Sequence, residues 1–110
     1  MTEMSVDEKR AYLEMYPLAL ARINRCYLLS ARNADKSEKY KKEMHEAVTL
    51  RDFIENDIDR VTDRVESEVL AQKYLCGKTL EETAVMLNYS KRQIERIHLN
   101  ALEHLAPTIM

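Results

Sequence analysis

The sequence predicts an all-α protein, and three observations support that fold class. Among 110 residues there are only one Gly and two Pro, so the Gly-containing turns that connect β-strands are nearly absent. Apolar residues recur three and four positions apart along most of the chain, which is the spacing of amphipathic helices. Near the C-terminus, two segments begin with residues typical of helix caps. We therefore expect an N-terminal helical hairpin or coiled-coil arm, residues 1–64, followed by a C-terminal helix-turn-helix, residues 65–106.

The composition excludes several classes of function. A single Gly cannot form a glycine-rich phosphate loop, and no apolar run is long enough to span a membrane. Glu3, Asp7 and Glu8 occupy the positions where a signal peptide would be basic and then apolar. Cys26 and Cys76 match neither a disulfide framework nor a zinc site. We expect a cytoplasmic protein with two reduced thiols, no metal, no cofactor and no enzymatic activity.

The N-terminal arm is predicted to contain three helices, at about residues 5–15, 17–33 and 37–62. Pro17 suits the first turn of the second helix. The apolar positions expected to pack in that helix are Leu20, Ile23, Tyr27, Leu28 and Ala31. The third helix has a 3.5-residue repeat, which is typical of a helical hairpin or coiled coil, formed by Tyr40, Met44, Ala47, Arg51, Ile54, Ile58 and Val61. Its partner is either the second helix of the same chain or a second subunit, and the sequence leaves both open.

Charge is segregated along this arm. Residues 22–42 contain seven basic against two acidic side chains, whereas residues 52–68 contain seven acidic against two basic ones. Two oppositely charged surfaces of this kind are expected to complement each other within a hairpin or between two subunits. In the other interpretation, the basic stretch supplements nucleic-acid binding through phosphate contacts.

The C-terminal part contains the signature of two short helices joined by a tight turn. A helix over about residues 66–75 is expected to end at Gly77, where a left-handed backbone is easily adopted. Thr79 and Glu82 form a capping box for a helix at about 80–87, and Asn88 suits the following turn. A second capping box, Ser90 to Gln93, opens a helix that should extend to Leu105. Two capped helices separated by three residues form a helix-turn-helix.

The faces of the last helix suggest its role. One face is apolar and should pack against Leu80, Ala84 and Leu87 of the preceding helix; it consists of Ile94, Ile97, Ala101, Leu102 and Leu105. The other face is polar and basic near the helix N-terminus, the end that enters the major groove in helix-turn-helix proteins. Arg can bind guanine and Gln can bind adenine through two hydrogen bonds each. The three histidines, His45, His98 and His104, are expected at the surface.

The segment EVLAQKYLCGKTLEETAVMLNYSKRQIERIHLNALEHL, from Glu68 to Leu105, is similar to the fourth region of bacterial sigma factors, which reads a promoter element. Members of that family contain an initial helix, a glycine, a helix with the motif T-x-x-E-x-A, a turn ending in Ser, and a basic recognition helix closing with A-L-x-x-L. The size of the chain and the run SKRQIERIH resemble the RinA/ArpU-like group of small phage regulators of late transcription. The resemblance implies a DNA-binding protein that regulates phage or prophage late genes.

We therefore expect residues near the two helix N-termini to contact double-stranded DNA: Lys78, Thr79, Ser90, Lys91, Arg92, Gln93, Glu95 and Arg96. Because residues 69–110 contain five basic against four acidic side chains, a monomer should bind weakly. A homodimer, or a contact with RNA polymerase, would strengthen binding. Two alternatives remain: a helix-turn-helix that is purely structural, and an adaptor or anti-sigma-type protein that holds a protein partner through its helical arm.

Overall fold

A computed structural model describes residues 3–108, and all regular secondary structure over these residues is helical. The α-helices are α1 (Val6–Leu13), α2 (Tyr16–Arg32), α3 (Ser37–Asp59), α4 (Arg64–Leu70), α5 (Leu80–Leu87) and α6 (Lys91–His104). A 3₁₀ turn, Ala34–Lys36, joins α2 to α3, and a π-helical turn, Ala71–Leu75, follows α4. The predicted fold class is confirmed, although the π turn was not predicted. Over the described residues, no helix is both long enough and apolar enough to cross a membrane.

Helices α2 and α3 form an antiparallel hairpin within one chain. The seam predicted for α3 is confirmed: Ala47, Ile54 and Ile58 are completely buried, and Tyr40 and Met44 are half-buried. The first half of this seam therefore packs on α2 of the same chain, whereas Ile54 and Ile58 lie in the main core described below. The helix ends at Asp59, three residues earlier than expected, and Val61 beyond it is still buried.

The packing face predicted for α2 is wrong. The residues that α2 buries are Tyr16, Ala19 and Cys26, whereas Leu20, Tyr27, Leu28 and Ala31 are exposed. Ile23 is the one member of the predicted set that is partly covered. Small side chains at Ala19 and Cys26 let the two helices approach closely, and the hydroxyl of Tyr16 donates a hydrogen bond to Glu55 (Oη–Oε2 2.6 Å). Polar contacts with α3 thus favour a face with fewer large apolar side chains.

Ion pairs across the hairpin favour the same face. Arg25 pairs with Glu43 at 3.1 Å, and Arg22 approaches Glu46 at 3.7 Å. The Arg25 guanidinium holds the pKa of Glu43 below its ordinary value. Within the hairpin, the arginines of the basic stretch 22–42 thus pair with Glu43 and Glu46, which lie outside the acidic stretch 52–68. Complementarity of the two stretches between subunits stays a prediction.

The main core lies where the base of the hairpin meets α1, α4 and α6. Its buried members are Tyr12, Leu13, Tyr16, Ile54, Ile58, Val61, Leu70, Tyr74, Ala101, Leu102 and Leu105. The last three were expected to pack against α5, and this expectation is wrong. With 14 residues, α6 is roughly 21 Å long, whereas α5, with eight, is roughly 12 Å long. The second half of α6 therefore extends beyond α5 and is covered by the arm.

A buried aspartate connects three parts of the chain. Asp57 is 1% exposed and accepts hydrogen bonds from the Tyr12 hydroxyl (2.5 Å) and the backbone N–H of Thr108 (2.8 Å). The Thr108 hydroxyl and the Arg60 guanidinium also contact its carboxylate. Burial and this carboxylate raise the pKa of Tyr12. Asp57 therefore joins α1, α3 and the segment after α6 through one side chain.

Replacing Asp57 with Ala should lower the free energy of unfolding by about 2–4 kcal/mol, because the buried Tyr12 hydroxyl and the partly buried backbone N–H of Thr108 lose their acceptor. Asp59→Ala is the matched control, since Asp59 is an exposed aspartate on the same helix; its effect should stay within about 0.5 kcal/mol. Urea unfolding followed by circular dichroism measures both. Equal losses in the two variants would contradict the role given to Asp57.

Candidate nucleic-acid interface

The turn between α5 and α6 has the geometry of a tight helix-turn-helix connection. Asn88 adopts the left-handed conformation (φ 62°). Asn tolerates this conformation better than most residues other than Gly. The backbone N–H of Tyr89 donates to the carbonyl of Ala84 at 2.9 Å, which closes the end of α5. Gly77 also has a positive φ of 74°, and it directs the chain from the π turn into the start of α5. Both positions were predicted as turns, and both predictions are confirmed.

Both predicted capping boxes are present. At the start of α5, Thr79 Oγ1 accepts from the backbone N–H of Glu82, and the Glu82 carboxylate accepts from the N–H of Thr79, each at 3.0 Å. These bonds lower the pKa of Glu82. At the start of α6, Ser90 Oγ accepts from the N–H of Gln93 at 3.1 Å, and Gln93 Oε1 accepts from the N–H of Ser90 at 2.9 Å. The start of each helix is therefore fixed by two reciprocal bonds.

A small apolar cluster sets the angle between α5 and α6. Val69, Ala84 and Ile94 are buried at its centre. Four partly buried side chains surround them: Leu80, Leu87, Tyr89 and Ile97. The predicted packing of Ile94 and Ile97 against α5 is confirmed, and Tyr89 covers the cluster from the turn. Because α4 contributes Val69, the cluster also fixes the two helices relative to the rest of the chain.

The opposite face of α6 is free of packing contacts near its N-terminus. Lys91, Arg92, Gln93, Glu95 and Arg96 are all exposed. Within residues 3–108, neither Arg92 nor Arg96 forms an ion pair, and the two lie on one helix face because they are four residues apart. The ammonium of Lys91 lies 3.7 Å from the carboxylate of Glu81 on α5. The most available positive charge is thus on Arg92 and Arg96.

The remaining predicted contact residues have structural roles as well. The side-chain oxygens of Thr79, Ser90 and Gln93 are occupied by the capping boxes. The amide nitrogen of Gln93 stays available as a donor, since the box uses only its oxygen. Lys78 is exposed immediately before α5, and its backbone N–H donates to Gln72 at 2.9 Å. The Lys91–Glu81 contact shows that long side chains from the first turns of α5 and α6 reach each other.

His98 was expected at the surface, and this expectation is wrong. The side chain is 5% exposed, and its Nε2 lies 2.7 Å from the hydroxyl of Tyr74 in the π turn. Burial, together with the positive charges of Lys73 and Arg10, lowers the pKa of His98 to about 4. The sequence spacing could have predicted this burial, because His98 comes four residues after Ile94 and three before Ala101, on the apolar face of α6.

His104, at the end of α6, has the opposite environment. It is exposed, as expected, and its Nδ1 lies 2.6 Å from the carboxylate of Glu66 on α4. The hydrogen bond and charge of Glu66 raise the pKa of His104. This pair stabilises the folded protein below the ordinary histidine pKa and is lost as the pH rises through the raised one. Among residues 3–108, no group of three or more His, Cys, Asp or Glu side chains is placed to hold a metal ion.

Replacing Ile94 with Asp should disrupt the helix-turn-helix, because an unpaired carboxylate would enter a fully buried site. The matched control is Leu99→Asp, at a position on the same helix that is 46% exposed. Thermal melts should show a large decrease in melting temperature for Ile94→Asp and little change for Leu99→Asp. A melting temperature equal to that of wild type for Ile94→Asp would mean that the assigned packing face is incorrect.

The buried His98 should make stability fall in mild acid. Its folded pKa of about 4 lies below the ordinary value of 6.5, so between these pH values the unfolded chain binds more protons. The free energy of unfolding should therefore decrease as pH falls from 6.5 towards 4, by up to about 3 kcal/mol from this residue. His98→Gln should lose this contribution, whereas His45→Gln, at an exposed position, should retain it. Urea unfolding across this pH range measures the free energy of unfolding of both variants. If it depends on pH in His98→Gln as it does in wild type, His98 is excluded as the cause.

Comparison with known proteins gives one match. Residues 58–106 match the protein family described as Sigma-70, region 4. No curated protein and no solved structure matches the chain. The matched range includes α4, the π turn, α5 and α6, together with the end of α3. Residues 58–106 are therefore similar to sigma-70 region 4, a helix-turn-helix domain that binds DNA in that family.

Proposed function

We propose that the protein is a sequence-specific regulator of transcription, which binds double-stranded DNA by inserting α6 (the predicted helix 90–105) into the major groove. The observation that supports this most strongly is the exposed basic end of α6. Arg92 and Arg96 project from a helix whose other face is buried and whose N-terminus is fixed by a capping box. Rigid placement of unpaired arginines is what base recognition requires, because each base presents its hydrogen-bonding groups at a fixed position in the groove.

The individual residues have distinct proposed roles. Arg92 and Arg96 read bases, together with the free amide nitrogen of Gln93. Lys91 and the helix N-terminus at Ser90 bind phosphate, since backbone N–H groups there favour an anion. Glu95 accepts a hydrogen bond from a cytosine amino group. Two residues at the start of α5, Lys78 and Thr79, contact the backbone of the same duplex.

The partners follow from the weak charge of the domain and from its family. Residues 65–106 act as the DNA-binding unit, and residues 1–64 act as the arm through which two copies pair. A homodimer would double the contacts with DNA, and RNA polymerase is a second partner, since sigma region 4 domains contact it. The resemblance of the run SKRQIERIH to the RinA/ArpU-like group supports a role at phage or prophage late genes in the cytoplasm.

One observation favours a second function, that of an adaptor or anti-sigma-type protein. Four large apolar side chains on α2 are exposed, as they would be on a surface that binds another protein: Leu18, Leu20, Tyr27 and Leu28. The two functions differ in their need for Arg92 and Arg96: an adaptor does not require them, whereas a DNA reader does.

The test begins by selecting bound duplexes from a randomised pool with the full chain. Fluorescence anisotropy then compares the selected duplex with a random one at about 50 and 200 mM salt, where several phosphate contacts should weaken binding by orders of magnitude. We expect salt-sensitive binding that prefers the selected duplex. Failure to bind any duplex at low salt would contradict a stand-alone DNA reader and favour the adaptor.

Arg92→Ala should weaken binding to the selected duplex by about 1–3 kcal/mol if Arg92 contacts a guanine, with a smaller loss on random DNA. Arg64→Ala is the control, because it removes an exposed arginine from α4 instead of from α6. That variant should leave the preference for the selected duplex unchanged. An equal loss on both duplexes for Arg92→Ala would assign Arg92 to the phosphate backbone.

A further inference from the structure

Helix α2 has a second apolar face that is largely exposed; only its N-terminal end, at Pro17 and Leu20, borders a pocket whose other wall is residues 73–77. We call it the outward stripe: Pro17, Leu20, Ala21, Asn24, Tyr27, Leu28 and Ala31, all exposed. Tyr27 is 68% exposed, Leu28 46% and Leu20 41%. The stripe contains no charged residue, although α2 includes three arginines. Clustered apolar exposure of this kind on a monomer is typical of an interaction surface.

The spacing of the outward stripe is that of a helix-pairing seam. Pro17, Leu20, Asn24, Tyr27 and Ala31 recur in alternating steps of three and four residues. The inward face of α2 already packs on α3, so the stripe can be covered only from outside the hairpin. Asn24 lies at its centre, and a single Asn in an apolar seam is a known means of fixing the register of paired helices.

We propose that a second copy of this chain covers the outward stripe, with the two α2 helices antiparallel and the two-fold axis passing through Asn24. This inference rests on the homodimer included in the proposed function and identifies the surface that forms it. It also explains why α2 is apolar on two faces, which a simple hairpin does not require.

The order of side chains along the stripe is self-complementary about Asn24. Antiparallel pairing places Leu20 opposite Tyr27 of the second copy, so that two large side chains meet on one flank. On the other flank, the small Ala21 meets Leu28 of the second copy. The two Asn24 amides face each other on the axis, where each can donate to the other's oxygen.

Charges at the ends of the stripe agree with this direction. Arg32, at the C-terminus of α2, comes close to Glu14 of the second copy, which precedes the N-terminus of α2; both side chains are exposed. Antiparallel helices also bring opposite ends of their macrodipoles together. The one basic side chain near the axis, Arg25, is already neutralised by Glu43 at 3.1 Å. Like-charge repulsion between the two copies is therefore small.

The size of the stripe predicts the strength of the dimer. A stable interface of standard size uses about 20–30 residues a side, and the stripe supplies far fewer. We therefore expect a dissociation constant in the micromolar range. Such a dimer would bind a two-fold symmetric DNA site more tightly than either copy alone, since each copy's α6 can occupy one half-site.

The first experiment measures the oligomeric state by sedimentation, from micromolar to submillimolar protein. Wild type should follow a monomer–dimer equilibrium, and Leu28→Glu should raise the dissociation constant at least tenfold. Leu99→Glu is matched in residue type and in exposure, at 46% for both leucines, and should dimerise like wild type. A wild type that stays monomeric, or a Leu28→Glu variant that dimerises normally, would overturn the proposal. In the latter case a homodimer exists but uses another surface.

Disulfide formation tests the geometry in a Cys76→Ser background, which removes the one exposed native thiol. Asn24→Cys should oxidise to a covalent dimer, because the two residues meet on the axis, whereas Asn56→Cys, exposed on α3, should not. Leu20→Cys distinguishes the directions, since an antiparallel pair separates the two copies of residue 20 by about 12 Å along the helix. Efficient crosslinking of Leu20→Cys would overturn the antiparallel arrangement.

These readouts separate this inference from the proposed DNA binding. Sedimentation and crosslinking need no DNA, so a dimer that binds no duplex would support the outward stripe and contradict the regulator. Conversely, a Leu28→Glu variant that is monomeric and still prefers the selected duplex, but binds it more weakly, would support both the outward stripe as the dimer interface and the proposed DNA binding.

Discussion

Burial of one face of α6 along its whole length is the constraint on which the rest of the structure depends. The first half of that face, at Ile94 and Ile97, packs with α5 and Val69, and the second half, at Leu102 and Leu105, lies in the main core. The helix is thus held at both ends by different partners. Its position relative to the hairpin cannot change without opening one of the two clusters, so the basic side chains at its N-terminus are presented from a rigid support.

Polar contacts strengthen the same attachment. His98 meets Tyr74 of the π turn, and His104 meets Glu66 of α4. The ammonium of Lys9, on α1, donates to the backbone carbonyl of Glu103 at 2.8 Å and satisfies one of the last carbonyls of α6. All three bonds lie in the second half of α6. The first turn is left with its capping box and exposed side chains, and it is therefore the part of α6 that is available to a ligand.

Local sequence signals predicted local structure well. Thr79, Ser90 and Asn88 were identified because capping boxes and left-handed turns depend on a few adjacent residues, and the α3 seam was identified because its period is regular. The errors concern choices between competing long-range contacts. Helix α2 has two apolar faces, and the face that meets α3 is the one that also allows ion pairs to Glu43 and Glu46. The burial of His98 depends on a hydroxyl 24 residues away, and the roles of Arg92 and Arg96 stay a prediction because base contacts are not encoded in the chain alone.

The most direct test of the central claim is to map the DNA contact on the protein by two-dimensional NMR of backbone amides. The spectrum would be recorded with increasing amounts of a duplex selected from a random pool. The account predicts that the largest shift changes fall on residues 90–96, at the N-terminus of α6, with smaller ones near Lys78 and Thr79. Amides near Leu102 and those of α3 should change little. If the largest shift changes fell in the α2–α3 hairpin and the amides of residues 90–96 did not change, the result would contradict the account.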